Sequence, residues 1–220
     1  MLKLHLTALH LEDADREEPA ATRDRLRDHY PKGATRRMTQ LGLLVGSALN
    51  PLNPGQDDTL VYASGYAETR ALESFLDSFP GASPTLFQTS IHPSAVQQIL
   101  IGRQQPVHTF FPLTGSDRLV EQALTTALLA PTPRVILCGG EERGTWMLAN
   151  GVASDRTFAF ACALSTSPEG AIASLTLSSD PTPAVPGPGL SLADFFDHLR
   201  HRRAFSLATA SGQQLSLVWS

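Results

Sequence analysis

The segment 106–142 constrains the fold most, because it joins two short apolar runs through a stretch with helical periodicity. The first run, 107–111, is β-branched and aromatic and lies between two prolines, which predicts a strand. Apolar residues then recur at helical spacing over 119–128, and the run 135–138 is continuously apolar, as expected of a strand covered on both faces. Strand, helix and strand in this order predict a right-handed crossover between parallel strands.

Before this segment, the sequence predicts two strands and three helices. Alternating polar and apolar residues predict a half-buried strand, and a short apolar run predicts a buried one. Apolar residues at helical spacing indicate the helices, and proline and glycine mark their ends. The inward face of the second helix is expected to carry Leu72, Phe75, Leu76 and Phe79. The predicted strands are 2–11 and 60–64, the predicted helices are 35–49, 68–79 and 94–101, and 83–90 is expected to be a connection.

After Glu142 the pattern changes. Two runs, 157–164 and 171–178, flank a Pro-Glu-Gly turn and predict a β-hairpin. The segment 180–189 reads DPTPAVPGPG and is expected to be a semi-rigid linker. A helix capped by Ser191 and a final hairpin over 204–219 complete the pattern. The sequence therefore predicts a single α/β domain over 1–220, with a mixed sheet and covering helices.

Charge and composition argue against nucleic-acid binding and indicate a surface poor in charge. The formal net charge is -4 and the pI is near 5.9, so the chain has no overall basic footprint for nucleic acid. The arginines within 23–37 alternate with acids and predict a solvated helical face. Only 17% of residues are charged, where about a quarter is usual. A surface poor in charge indicates either a covering partner protein or a larger core, and both interpretations stay open.

The two cysteines and the first residues bear on the compartment. Cys138 and Cys162 lie in apolar runs, which predicts buried thiols in a reducing compartment, and no spacing indicates zinc or another metal. The start, MLKLHLTALHLED, lacks a basic region followed by a long apolar run, so it is not expected to be a signal peptide. No apolar run is long enough to span a bilayer. We expect a cytoplasmic protein without cofactors.

The bend at Thr114 is the first candidate for chemistry, since a strand ends and a helix begins there. Thr114 is placed to cap this helix, with Asp117 as the acidic half of a capping box. The alternative is that Thr114 or Ser116 is a nucleophile, which requires a base such as His108 within reach.

Two further segments of the sequence are candidates for a functional site. His92 at a loop-to-helix junction is either a functional residue or a cap. The sequence Gly139-Gly140-Glu141-Glu142 lacks the lysine and glycine spacing of a phosphate loop, and it is expected to be a turn.

A family resemblance rests on the segment 83–92, SPTLFQTSIH, followed by a helix, a strand and the residues Leu-Thr-Gly-Ser-Asp at 113–117. This arrangement resembles the N-terminal half of β-ketoacyl synthases, and in particular stand-alone chain-length-factor-like proteins of aryl polyene type clusters. Arg36-Arg37-Met38 and the closing strand with Trp219 are also similar to that family. The resemblance implies a thiolase-like half fold, with a C-terminal helix and β-hairpin added.

The departures from the family concern catalysis. The resemblance implies a nucleophilic cysteine at the bend, where this sequence has Leu113 and Thr114. It also implies two catalytic histidines in a second half for which this sequence has no counterpart. We therefore expect no condensation by the chain alone. Pro93 replaces the asparagine that usually follows His92.

The resemblance also implies a partner. In thiolase-like dimers the strand before the nucleophile pairs across the twofold axis, so the expected subunit interface is Val107, His108, Thr109, Phe110 and Phe111. The implied partner is a catalytic β-ketoacyl synthase in a heterodimer, with an acyl carrier protein reaching the chain through that partner. Bulky residues facing the acyl tunnel would limit chain length; the expected lining is His92, Val96, Gln97, Leu100 and Phe110.

Two other functions remain open from the sequence. One is an acyl-transfer enzyme or hydrolase that uses Thr114 or Ser116 with His108. The other is a homodimeric scaffold or ligand-binding protein without a synthase.

Overall fold

A computed structural model describes residues 1–31, 33–115, 117–179 and 189–220 of the chain. Nearly all of the predicted linker 180–189 and the candidate nucleophile Ser116 therefore lie outside the described residues. Within those ranges, no helix has the length and apolar character needed to cross a bilayer.

The described residues form eight strands and eight α-helices. The strands are β1 (Leu2–Asp13), β2 (Thr59–Ser64), β3 (Thr109–Thr114), β4 (Arg134–Glu141), β5 (Phe158–Ser165), β6 (Ala173–Ser178), β7 (Phe205–Ala208) and β8 (Gln214–Trp219). The helices are α1 (Pro19–Leu26), α2 (Gln40–Leu49), α3 (Thr69–Asp77), α4 (Pro84–Ser90), α5 (Ser94–Gly102), α6 (Leu119–Leu129), α7 (Trp146–Ala149) and α8 (Leu192–Arg200).

The strands form one mixed sheet in the order β3-β2-β4-β5-β1-β6-β8-β7. β3 and β4 both run parallel to β2, which lies between them. Since α6 links β3 to β4, the central unit is the strand, helix and strand that the sequence predicts. The remaining neighbours pair antiparallel. The structure thus confirms an α/β fold with a mixed sheet.

Helices cover both faces of the sheet, and each face has its own hydrophobic core. The first core lies under α6 and α8, and the second lies under α2 and α5. Successive strand residues point to opposite faces, so Val61 of β2 enters the first core and Tyr62 enters the second. β2 and β4 are therefore covered on both faces, which explains their unbroken apolar sequences.

The predicted hairpin of 157–164 with 171–178 is wrong, because β1 lies between β5 and β6. The predicted turn itself forms, and the N–H of Ala171 donates to the carbonyl of Pro168 at 3.1 Å. β1 pairs antiparallel with both strands, which places Leu4 opposite Leu175 and Glu12 opposite Ala159. A local turn signal predicts the reversal of the chain, but it does not tell whether a distant strand enters between the two arms.

The segment 83–90, expected as a connection, forms the helix α4. Ser83 caps this helix, since its side chain accepts the N–H of Leu86 at 3.3 Å, and Pro84 lies in the first turn. Both residues are typical of a helix start, so the sequence contained the signal.

The predicted inward face of α3 is also wrong. α3 buries Ala71 and Glu73, whereas Phe79 is 57% exposed and Leu76 is 41% exposed. Phe75 contacts Phe79 and the α4 residue Phe87, with ring centroids 5.4 and 5.3 Å apart. The apolar face of α3 therefore packs partly against α4 and is partly exposed to solvent. It does not face the sheet as predicted.

Two predicted boundaries move because of local geometry. α2 begins at Gln40, since Thr39 caps it by accepting the N–H of Gly42 at 2.9 Å, and the predicted start at Thr35 falls in a 3₁₀ turn. The turn expected at Gly139-Gly140 is absent, because both glycines lie within β4.

Candidate functional site

The carboxyl ends of the three parallel strands lie side by side, and two glycines there are close to a carboxylate. β2 is followed by Gly65, β3 is followed by Gly115, and β4 ends at Glu141. A Cβ atom at Gly65 would lie 3.0 Å from Glu141 Oε1 and 3.6 Å from the carbonyl oxygen of Gly115. Ligands of open α/β sheets bind outside the carboxyl ends of the strands, so this edge is the candidate site.

A cleft of about 440 Å³ opens at this edge. The strand ends form one wall, and the segment around α7 and the start of α8 form the others. Its polar groups come from Glu141, Ser154, Asp155 and Ser191, and apolar side chains such as Leu119 and Leu148 complete it. The composition suits an occupant that is mostly apolar.

Glu141 is buried beside this cleft and fixes the chain after β2. Its carboxylate accepts the N–H of Gly65 at 2.5 Å, the N–H of Tyr66 at 3.3 Å and the hydroxyl of Ser64 at 3.3 Å. Burial raises the pKa of Glu141 to about 7, although these hydrogen bonds act in the opposite direction. The sequence pattern predicts a turn at Glu141 and contains no local signal for this role.

The predicted capping role of Thr114 is wrong. Thr114 is the last residue of β3, and α6 begins five residues later at Leu119. Arg118 stands at the N-cap in the left-handed region, with φ of 54°, and no side chain among the described residues caps the helix. Gly115 has φ of 123°, a conformation that favours glycine and aims the chain away from the strand.

Thr114 and His108 do not come together, which contradicts the interpretation of Thr114 as a nucleophile with His108 as its base. His108 precedes the first residue of β3, and Thr114 is the last. Six residues of extended chain span about 20 Å, far beyond hydrogen-bond reach. The side chain of His108 is 63% exposed and lies 3.8 Å from Asp57.

The two thiols are confirmed as buried and unpaired. Cys138 lies on β4 and Cys162 on β5, and each is fully or almost fully buried. Burial raises the pKa of the Cys162 thiol to about 12, and it raises the pKa of Cys138 further. A thiolate is the form that attacks carbonyl groups, so neither cysteine has the properties of a nucleophile. Leu113 and Thr114, which the resemblance places at the position of a nucleophile, carry no thiol, and that placement stays a prediction.

β3 is an edge strand. It pairs with β2 on one side, from Thr59 opposite Thr109 to Ser64 opposite Thr114. Among the described residues, no strand pairs with its other side. Pro112 lies within β3, and prolines in sheets are found mainly on edge strands because they donate no ladder hydrogen bond.

The predicted interface residues are only partly on this strand. β3 covers Thr109–Thr114, so the predicted strand 107–111 is shifted by two to three residues. Val107 packs partly against the second core, and His108 is held by a hydrogen bond from its N–H to the carbonyl of Gln56 at 3.2 Å. Thr109, Phe110 and Phe111 lie on the edge strand, and their role as a subunit interface stays a prediction.

His92 is mostly buried at the start of α5. Its ring stacks on Tyr62 with centroids 5.1 Å apart, and its Nδ1 lies 3.6 Å from Glu68 Oε2. Among the described residues, neither ring nitrogen has a hydrogen-bond partner. Pro93 is the N-cap residue of α5, so His92 does not cap this helix.

The residues expected to line an acyl tunnel lie in different environments. Val96 is fully buried in the second core, and Leu100 and Phe110 pack partly against the same core. Gln97 borders an open groove of about 730 Å³ beside α4 and α5. Their role in lining an acyl tunnel stays a prediction for a complex. No cluster of three potential metal ligands occurs in the described part of the chain.

The comparisons with known proteins concern the fold. No family model matches the sequence, and no curated protein matches it. Among solved structures, the chain is similar to a chain of the ketosynthase ApeO in complex with its chain length factor ApeC from Xenorhabdus doucetiae. That similarity has a TM-score of 0.68 at 20% identity, and it covers 99% of this chain and 100% of the other.

A second similar structure is the ishigamide ketosynthase/chain length factor. Its TM-score is 0.57 at 11% identity, over 81% of this chain and 68% of the other. Identities this low establish the fold and not the activity. The chain therefore has the thiolase-like fold that ketosynthase and chain length factor complexes share.

Proposed function

We propose that this chain is a non-catalytic, chain-length-factor-like subunit that pairs with a β-ketoacyl synthase during polyketide-like or fatty-acid-like chain elongation. The fold supports a relation to proteins that work in such pairs. The two similar structures described above are of a ketosynthase with a chain length factor. The segment 83–92 adds a likeness in sequence.

The open edge of β3 is the observation that carries the proposal. An unpaired strand edge exposes N–H and C=O groups that invite another strand, and proteins cover such edges or exploit them. The exposed ring of Phe111 adds apolar area at this edge. Pro112 removes one donor, so a partner strand bonds to residues on either side of it.

The absence of a usable thiol assigns catalysis to the partner. The bend after β3 offers Thr114 and Gly115, and the two thiols of the chain lie within the sheet with raised pKa values. A partner with its own nucleophilic cysteine would therefore carry out acyl transfer. The unpaired state of Cys138 and Cys162 agrees with the cytoplasm as the place of this reaction.

The finer proposal is that the chain limits product length by steric exclusion. In the complex, Phe110 and Gln97 would stand near the end of the partner's acyl tunnel, where bulk decides how many carbons fit. An acyl carrier protein would deliver substrate through the partner. An aryl polyene is the product class that the sequence resemblance favours.

The test is co-expression with candidate synthases, followed by measurement of mass in solution. We expect a one-to-one complex, and elongation of acyl thioesters only when both chains are present. Phe111→Arg is expected to weaken the complex at least about tenfold, because it brings a charge into an apolar contact. Val218→Arg is the matched control, since Val218 is an exposed apolar residue of β8, at the other end of the sheet.

Three results would contradict the proposal. A stable monomer that binds no synthase would leave the open edge without a function. A homodimer indifferent to synthases would support the scaffold interpretation instead. Equal effects of Phe111→Arg and Val218→Arg would mean that β3 is not the contact.

A further inference from the structure

A second cleft, of about 330 Å³, lies between α1, the start of α2, α3 and α4. Three arginines line it, Arg23, Arg36 and Arg70, and we refer to it as the arginine cleft. Hydroxyl groups of Ser74, Thr85 and Thr89 also line it. The pattern of arginines and acids in 23–37 predicts a solvated face, whereas the fold brings two of these arginines together with a third from α3.

These arginines differ from most others in the chain. Arg25, Arg134 and Arg156 each form a salt bridge with N···O distances of 2.7 to 2.9 Å. Among the described residues, no carboxylate lies within salt-bridge distance of the three guanidinium groups of the arginine cleft. The Nε of Arg23 is buried and has no hydrogen-bond partner in the described part of the chain. A buried donor of a cation without a partner is costly, and an anion would remove that cost.

The acidic residue in the lining is Glu142, which is fully buried. One of its oxygens accepts the backbone N–H of Arg70 at 3.0 Å, and the other accepts the N–H of Leu41 at 3.3 Å. Both carboxylate oxygens of Glu142 therefore accept backbone N–H groups. Among the described residues, Glu142 forms no salt bridge with an arginine side chain. The cleft keeps an excess of positive charge.

The start of α2 adds to this field. Thr39 and Gln40, the N-cap and first residue of α2, also line the arginine cleft. The N-terminus of a ten-residue helix carries the positive end of the helix dipole, which favours anions. The helix dipole and the arginines thus both favour binding of an anion.

A neighbouring cleft shares Gln40 and Arg70 but differs in charge. It adds Arg16 and Arg143, and it also contains Asp15, Glu17 and Glu18. These acids make it a poor anion site, so the arginine cleft is the better anion site of the two.

We propose that the arginine cleft binds a phosphate ester. Guanidinium groups match phosphate oxygens in pairs, and three of them lie in this one cleft. The ligand is either a small phosphorylated molecule or a larger molecule that carries a phosphate ester. This inference does not depend on a synthase partner, and its test uses the chain alone.

Isothermal titration of the full chain at low ionic strength tests the proposal with two probes, inorganic phosphate and coenzyme A. We expect both to bind, and tighter binding of coenzyme A would indicate a larger ligand with contacts beyond a single phosphate. Arg36→Gln and Arg70→Gln are each expected to weaken phosphate binding about tenfold, because each removes a charged hydrogen bond. Arg27→Gln is the matched control, since Arg27 lies outside the cleft and its side chain is 69% exposed.

Unchanged thermal unfolding of the variants would show that they fold. Binding of phosphate no tighter than of chloride at the same ionic strength would overturn the proposal. An equal loss of binding in Arg27→Gln and Arg70→Gln would overturn it as well, because it would indicate general charge and not a site.

Discussion

Four buried glutamates hold segments together that are distant in the sequence. Glu68 accepts the N–H of Ala95 at 2.8 Å, and Glu73 accepts the N–H groups of Thr145 and Met147 at 2.7 and 3.0 Å. Glu141 and Glu142 bind the chain after β2 and the starts of α2 and α3 in the same way. All four carboxylates are almost inaccessible to solvent. Burial of these carboxyl groups is tolerated here because backbone N–H groups replace water as hydrogen-bond donors.

The pKa values of Glu141 and Glu142 link stability to pH. Burial raises both to about 7 in the folded protein, whereas the unperturbed value is 4.5. The folded state therefore binds more protons than the unfolded state between these two values. Stability from these groups is fully present below about pH 4.5 and is lost as pH rises through about 7.

Substitution of Glu141 by glutamine tests this link. We expect the free energy of unfolding of the native protein to fall between pH 5 and pH 8, by on the order of 3 kcal/mol for each carboxyl. Glu141→Gln should remove about half of that slope, since an amide does not titrate. Denaturant unfolding at several pH values measures it, with exposed Glu169→Gln as control. A slope unchanged by Glu141→Gln would contradict the assignment.

At the scale of elements, β4 depends on two glycines for its place between β2 and β5. A Cβ atom at Gly139 would overlap the carbonyl oxygen of Ala63, and one at Gly140 would overlap that of Phe158. Both obstacles belong to backbone, which cannot move aside as a flexible side chain can. The glycines therefore let neighbouring strands approach closely, and the pair Gly-Gly does not indicate a turn here.

We expect Gly139→Ala to destabilise the protein by about 3 kcal/mol or more, because the added methyl group forces strands apart. Gly102→Ala is the matched control: no atom lies within 4 Å of the new Cβ, and Gly102 ends the helix α5. That control should be neutral, or stabilising by up to about 1 kcal/mol. Urea unfolding compares the two variants, and similar stabilities would show that β4 can shift without cost.

At the scale of the whole molecule, β1 joins the two parts of the sheet. It pairs with β5 on one side and β6 on the other, so the first residues of the chain lie in the middle of the sheet. Leu6 is 1% exposed and packs in the first core. β1 therefore holds β6, β8 and β7 to the rest of the sheet.

Leu6→Asp is expected to cost about 4 kcal/mol or more, since it places a carboxylate in an apolar core without a partner. The control is Lys3→Asp, at an exposed position of the same strand, which should change stability by less than about 1 kcal/mol. Circular dichroism during thermal unfolding reports both, with a single transition for the control. A folded Leu6→Asp protein with native stability would mean that β1 is dispensable.

Periodicity and local chemistry gave the elements that depend on nearby residues. The strands β2 and β4, the helix α6 and the final hairpin of β7 and β8 were predicted, because one buried face or one turn suffices to specify them. The helix cap at Ser191 was also predicted; its Oγ accepts the N–H of Asp194 at 3.0 Å. Pro112 also held a signal for an edge strand, although it was interpreted as a strand boundary.

The sequence by itself determined the α/β class, the two buried thiols and the lack of a cysteine at the bend after β3, since these follow from residue type and short-range pattern. Only the tertiary structure decided that β1 separates β5 from β6, that His108 lies far from Thr114, and that Arg23, Arg36 and Arg70 share a cleft. Those facts depend on which distant segments meet. Strand pairing and charge clustering are set by burial over the whole chain, which no local window of sequence contains.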